Sequence, residues 1–210
     1  MIKKNWKLLL VTSIITLLPI MIGLLLWKQL PDQMPIHWNA SGEIDGWSSK
    51  LFSVVGLPMI MLAVQWLCLF GTLADPKKAN HSVKVLHLVL WIIPVLSVVL
   101  QTATYAAALG KEVPIEVITP VLVGLMFTII GNYLPKCKQN YTIGIKLPWT
   151  LSSEENWNKT HRFAGRLWLA CGIIIMLSGF FGGVWILLPS MLLMVLIPCI
   201  YSYMLYRNGV

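Results

Sequence analysis

The residues of this chain best equipped for chemistry fall in two short stretches. In the first, residues 31–50, His37, Glu43 and Asp45 stand among turn formers. One imidazole and two carboxylates so close together could converge on a metal ion or serve as acid and base. They could equally be solvated or cap local turns, and one histidine with two carboxylates is a weak metal signature. In the second, residues 131–168, His161-Arg162 follows Glu154 and Glu155. That pattern admits three readings: catalysis, contact with lipid head groups by a basic aromatic segment, or docking of a cytoplasmic protein. The four cysteines (Cys68, Cys137, Cys171 and Cys199) show no metal-ligand spacing and read as inert thiols. No catalytic, cofactor-binding or metal-binding residue is assigned from these groups.

The elements that must position these stretches are apolar. The chain is 57% hydrophobic and 11% charged, whereas a soluble domain carries about 25% charged residues. Six apolar segments, roughly 8–27, 51–74, 85–109, 116–134, 164–183 and 186–206, are each long enough to cross a hydrocarbon core of about 30 Å as a helix. The run 8–27 exceeds the roughly 7–15 apolar residues of a secretory signal and is expected to stay as the first span. Pro19, Pro58, Pro94, Pro120, Pro189 and Pro198 fall inside the segments and are expected to kink helices rather than break them. The fold class expected is an all-α integral membrane protein: a six-transmembrane-helix bundle in a single membrane domain, residues 1–210.

Orientation follows from the basic residues. Lys3, Lys4, Lys7, Lys77, Lys78, Lys84, Lys136, Lys138, Lys146, Lys159, Arg162, Arg166 and Arg207 lie on one side, thirteen against Lys28, Lys50 and Lys111 on the other. Both termini are therefore expected in the cytoplasm. The net charge of +8 is spread between spans, not gathered on a soluble domain, so direct nucleic-acid binding is not expected.

Two connections are long enough to carry function. Residues 28–50 form an extracytoplasmic loop with turn dipeptides Ser41-Gly42 and Asp45-Gly46. Met34, Ile36, Trp38, Ile44 and Trp47 should make it compact and hold it at the membrane surface. Residues 135–163 form the cytoplasmic loop. There Ser152 with Glu155 predicts a capping box, Glu155 and Lys159 an i,i+4 ion pair, and Trp157, His161, Ala164 and Trp168 a common helix face. This interfacial helix should bend or continue into the fifth span. Inside the spans the polar groups are neutral, among them Gln65, Gln101, Thr102, Thr104 and Asn132, which counts against an ion-coupled transporter.

Both loops resemble those of the SdpI immunity-protein family of bacterial membrane proteins. The outer likeness rests on Pro31, Met34-Pro35, His37-Trp38-Asn39, Gly42 and Asp45-Gly46-Trp47. The inner one rests on Gly131-Asn132-Tyr133-Leu134-Pro135-Lys136, Asn140, Gly144-Ile145-Lys146, Pro148-Trp149-Thr150-Leu151 and Trp157 with Thr160-His161-Arg162 and Gly165. Lys146 stands where family members usually carry Arg, keeping the charge but not the bidentate fork. The resemblance implies a multi-pass protein of the cell membrane that protects its producer from a secreted, membrane-active peptide toxin and holds a cognate repressor at the bilayer. Toxin contact would then fall to His37, Trp38, Asn39, Gly42, Asp45 and Trp47. Cytoplasmic partner contact would fall to Asn132, Pro135, Lys136, Asn140, Gly144, Lys146, Pro148, Trp149, Trp157, Thr160, His161 and Arg162. The competing reading is a small transporter, flippase or membrane enzyme acting on lipid or peptide substrates.

Overall fold

A computed structural model describes residues 2–210. Six helices are long and apolar enough to cross a membrane: Asn5–Leu25, Phe52–Ala74, Val83–Ala108, Ile115–Lys136, Glu154–Phe181 and Leu187–Arg207. As elements these are α1 (Ile2–Leu25), α2 (Leu57–Ala74), α3 (Val83–Ala108), α4 (Ile115–Tyr133), α6 (Glu154–Ser178) and α7 (Leu187–Arg207), with a five-residue helix α5 (Pro148–Ser152) before α6. The only strands among the described residues, β1 (Gln33–Trp38) and β2 (Ile44–Ser49), pair antiparallel. The expected outer loop is thus a hairpin. Pro19, Pro94, Pro120 and Pro198 sit inside unbroken helices, as expected.

The chain forms two compact units. Unit 1 comprises residues 1–70 and 86–115; unit 2 comprises residues 71–85 and 116–210. Apolar surface gains little by moving from lipid to protein, so packing and hydrogen bonds must hold each unit. In unit 1, the Thr16 hydroxyl donates to Gln65 Oε1 and Gln65 Nε2 donates to Thr12 Oγ1, both at 2.8 Å. Ser97, Gln101 and Tyr105 recur every four residues on α3. They donate in turn to the carbonyls of Thr16, Ser53 and Pro19 at 2.9, 2.6 and 2.9 Å. The middle bond has a definite origin. Before α2 the chain makes a π-turn (Phe52–Gly56), in which the Leu57 N–H reaches back to the Phe52 carbonyl. Ser53 would next look to residue 58, but that is a proline without an N–H. Gln101 supplies the missing donor.

Unit 2 is organised by close helix contact. A Cβ added to Gly172 would lie 2.6 Å from Thr128 N and 2.8 Å from the Gly124 carbonyl; one added to Gly165 would lie 2.7 Å from the Gly131 carbonyl. Gly124, Gly131, Gly165 and Gly172 repeat at seven-residue spacing, which lets the α4 and α6 backbones touch. Beside that seam, Cys171, Ile175 and Met194 form a buried cluster flanked by Phe127 and Trp168. Trp168 also donates to the Met194 carbonyl at 2.8 Å.

The helix expected within residues 135–163 starts at Glu154 and continues unbroken into the fifth span as far as Ser178. One expectation about it needs correction. The helix is capped by Ser153, whose side chain accepts from the Asn156 N–H, and not by Ser152. Ser152 instead closes α5, donating to the Trp149 carbonyl at 3.1 Å. A tight connection at Phe181-Gly182-Gly183 joins the last two spans, with Gly182 left-handed at φ 66°.

These two kinds of contact predict different costs. Gly172→Leu should force α4 and α6 apart and lower stability by about 1–3 kcal/mol or more. Gln65→Leu should cost only about 0.6–1.7 kcal/mol, because Thr12 and Thr16 can still donate to the Leu9 and Thr12 carbonyls. Unfolding of both variants by sodium dodecyl sulfate titration gives the order.

Candidate functional site

Hairpin geometry begins with a two-residue irregularity. Pro35 pairs with Trp47, His37 with Gly46 and Trp38 with Ile44, so Ile36 and Asp45 are the extra residues on their strands. A Cβ at Gly46 would lie 2.7 Å from His37 Cβ, so only glycine fits opposite the histidine. This arrangement brings His37 Nδ1 to 2.5 Å from Asp45 Oδ1. The turn is built on Asn39, whose side-chain oxygen accepts from Ser41 and Glu43 N–H at 2.9 and 3.0 Å and whose amide donates to the Glu43 carboxylate. Glu43 is therefore taken by the turn, and no group of three metal-ligating side chains occurs among the described residues. Of the expected toxin-contact residues, His37, Asp45 and Trp47 are exposed while Trp38, Asn39 and Gly42 are half-buried.

Three anchors fasten the hairpin to the helices of unit 1. Met34 is fully buried against Leu30, Val54 and Tyr105. Ser48 Oγ lies 2.8 Å from Ser53 Oγ on the π-turn. Lys50 reaches Asp32 at 3.2 Å and the Trp27 carbonyl at 3.3 Å, over the Trp27 ring.

On the other loop, residues 137–147 contain no regular element, and side chains satisfy the backbone. Asn140 Oδ1 accepts from Thr142 and Ile143 N–H, while its amide donates to the Lys138 and Ile143 carbonyls. Thr150 takes the Leu147 N–H and donates to the Ile145 carbonyl. Trp157, 0% exposed, donates its indole N–H to the Cys137 carbonyl at 2.8 Å. His161 stacks on that ring with centroids 4.0 Å apart. Its Nδ1 lies 2.8 Å from the Trp157 carbonyl and its Nε2 2.9 Å from the Ile145 N–H. A carbonyl at one nitrogen and an N–H at the other require a neutral ring with the proton on Nδ1. The histidine singled out beside Arg162 is thus a buried acceptor for loop backbone. Glu155 pairs with Lys159 at 2.7 Å, as its spacing predicted. Gly144, at φ +124°, lies against His161 and Trp157, where no Cβ would fit.

The group that most constrains this loop was missed by sequence reasoning. Asp75, 3% exposed, follows α2 directly. Its carboxylate accepts from Thr142 Oγ1 at 2.6 Å, Tyr141 N–H at 2.9 Å and Lys77 N–H at 2.7 Å, with His81 Nε2 3.1 Å away. Burial alone would push the Asp75 carboxyl up, but these hydrogen bonds outweigh burial and hold it below its ordinary value. Lys77 and Asn80 both bind Gln139, whose amide donates to the Thr150 and Leu151 carbonyls. The available signal was that Asp75 is the only acidic residue between Asp45 and Glu112. Burial pushes the Cys137 thiol to about 11, which keeps it a thiol.

Several residues expected to meet a partner are buried: Asn140, Trp157 and His161 serve the loop's own interior, and Thr160 donates to Asn156 within α6. Asn132, Pro135, Lys136, Lys146, Pro148 and Arg162 are exposed, and Gly144 and Trp149 half-buried.

Six spanning helices, an anchored hairpin and a braced loop define a multi-pass protein of the cell membrane. Residues 136–202 match the SdpI/YfhL protein family, and residues 14–62 match a domain of unknown function, DUF1648. Over 209 residues, 98% of this chain and 97% of the relative, the sequence is 31% identical to the immunity protein SdpI of Bacillus subtilis (strain 168). No solved structure matches it significantly. The chain belongs to the SdpI/YfhL family.

Asp75→Asn should cost about 1–3 kcal/mol, because an amide whose oxygen keeps Thr142, Tyr141 and His81 must turn its NH2 group against the Lys77 N–H. Since folding lowers the Asp75 pKa from 3.8, the wild-type contribution is full above about pH 4 and fades as pH falls through the lowered value. Thermal melts between pH 3 and 7 should show the two proteins converging only at the acid end. Gly144→Ala should expose Cys137 to maleimide while leaving total helix content unchanged.

Proposed function

We propose that this chain is an immunity protein that protects the cell making it against a secreted, membrane-active peptide. The near full-length identity to the Bacillus subtilis immunity protein carries this reading. The hairpin supports it with a place for contact: His37, Asp45 and Trp47 stand exposed on a turn held rigid by Asn39 and seated by Met34. An imidazole–carboxylate pair beside an exposed indole suits a peptide, offering hydrogen bonds in both directions and a flat apolar surface. Recognition, not turnover, is the activity proposed. Gln65 and Gln101 support this, since both are engaged in hydrogen bonds within unit 1.

The orientation that goes with this reading places both termini in the cytoplasm and the hairpin outside, as thirteen basic residues against three favour. The braced loop then faces the cytoplasm. A repressor captured there would meet Asn132, Pro135, Lys136, Lys146, Pro148 and Arg162, while the buried Asn140, Trp157, Thr160 and His161 would keep that surface in shape.

Deleting the gene should sensitise the cells to the peptide secreted by their siblings, and restoring it should return resistance. His37→Ala and Trp47→Ala should each reduce resistance with normal membrane levels of protein. Unchanged sensitivity on deletion would sink the proposal. Wild-type resistance in both point variants would move recognition away from the hairpin.

A further inference from the structure

We infer that Arg162 and Arg166, with Lys136 beside them, bind the phosphate of an anionic glycerophospholipid. The two arginines are one helical turn apart and share a face of α6. Both are exposed, and neither has an ion-pair partner among the described residues. Continuing down the same face, Leu169, Ile173 and Leu177 are exposed in sequence, at steps of three and four residues. The buried face, with Ala164, Cys171 and Ile175, points elsewhere. An arginine pair therefore caps a stripe of apolar side chains open to acyl chains, at the depth where head-group phosphates lie.

Lys136 is brought to the same turn by the seam between α4 and α6. It follows Pro135, and a Cβ on Gly165 would lie 2.7 Å from the Pro135 ring. Gly165 stands between the two arginines in sequence, so the missing side chain lets the 134–136 turn rest against the helix there. The Lys136 ammonium lies 4.8 Å from the centroid of the Tyr133 ring. The nearest acid along α6 is Glu155, already paired with Lys159. Lys136 thus stands on a turn packed against the arginine-bearing turn of α6, and none of the three cations has an ion-pair partner among the described residues. Two planar forks and a point charge match the non-ester oxygens of a phosphodiester, and the apolar stripe selects a lipid over a free anion. This inference stands independently of the immunity reading, but it gives Lys136 and Arg162 to lipid in place of the repressor contact considered there.

The test uses the purified full chain in nanodiscs of dioleoylphosphatidylcholine with increasing dioleoylphosphatidylglycerol. Phosphatidylglycerol should raise the melting midpoint of the wild-type protein and remain bound in native mass spectrometry. R162Q/R166Q should lower its apparent affinity about tenfold or more, since two charge-assisted contacts are lost. R162K/R166K should fall between, and K111Q, on the α3–α4 connection, should match wild type. Circular dichroism and monodisperse elution check that each variant is folded. Three results would each overturn the proposal: a wild type indifferent to phosphatidylglycerol, a glutamine pair that keeps the full preference, or equal stabilisation by inorganic phosphate in phosphatidylcholine alone. The last would mean a free-anion site; indifference to both would leave the cations for a protein partner.

Discussion

Pro58 has no N–H to offer, and much of unit 1 follows from the carbonyl left without its helical donor. In lipid an unpaired carbonyl has no water to turn to, so the protein must supply a donor. The π-turn at Phe52–Gly56 moves the deficit to Ser53, and Gln101 answers it at 2.6 Å. The same turn directs the Ser53 hydroxyl at Ser48, at the base of the hairpin. A single missing donor thus ties the π-turn, the position of a buried glutamine and the seating of the hairpin to one another. Tyr105, one turn beyond Gln101, donates to the Pro19 carbonyl, with room made by Gly23.

Backbone satisfaction also governs the two loops, where regular structure is scarce. Asn39 and Asn140 each fold their side-chain oxygen onto two N–H groups two to four residues ahead, making turns without a partner strand. Thr150, Trp157, His161 and Gln139 serve residues 137–151 in the same way. Asp75 goes further by gathering donors from its own loop and from residues 141 and 142, so that one carboxylate fixes both. A carboxylate is suited to this because its two oxygens accept several hydrogen bonds and donate none when ionised.

The chemical consequence is a division between groups that build and groups that remain open. His161 and His81 are buried and bonded, whereas His37 is exposed with Asp45. Within unit 1, Gln65, Ser97, Gln101 and Tyr105 are engaged with carbonyls or hydroxyls, while the buried Ser13 hydroxyl has no partner among the described residues. What stays exposed is the His37–Asp45 pair and the Trp47 indole on the hairpin and, on α6, Arg162 and Arg166.

Six spans and the shared face of Trp157, His161 and Ala164 were legible in the sequence. Hydropathy and helical periodicity are local properties, and a chain segment carries them before it packs. The family was legible too, because Pro31–Trp47 and Gly131–Gly165 keep their residue types at fixed spacing. The sequence did not reveal that the outer loop is a hairpin, since Ile36 and Asp45 interrupt the alternation that marks strands. Nor did it separate the histidines, because burial depends on neighbours far along the chain. Asp75 was passed over for the same reason: Thr142, its shortest hydrogen-bond partner, is 67 residues away. Local patterning determined where the chain crosses the bilayer. Only long-range contact decided which polar groups the fold consumes and which it leaves exposed.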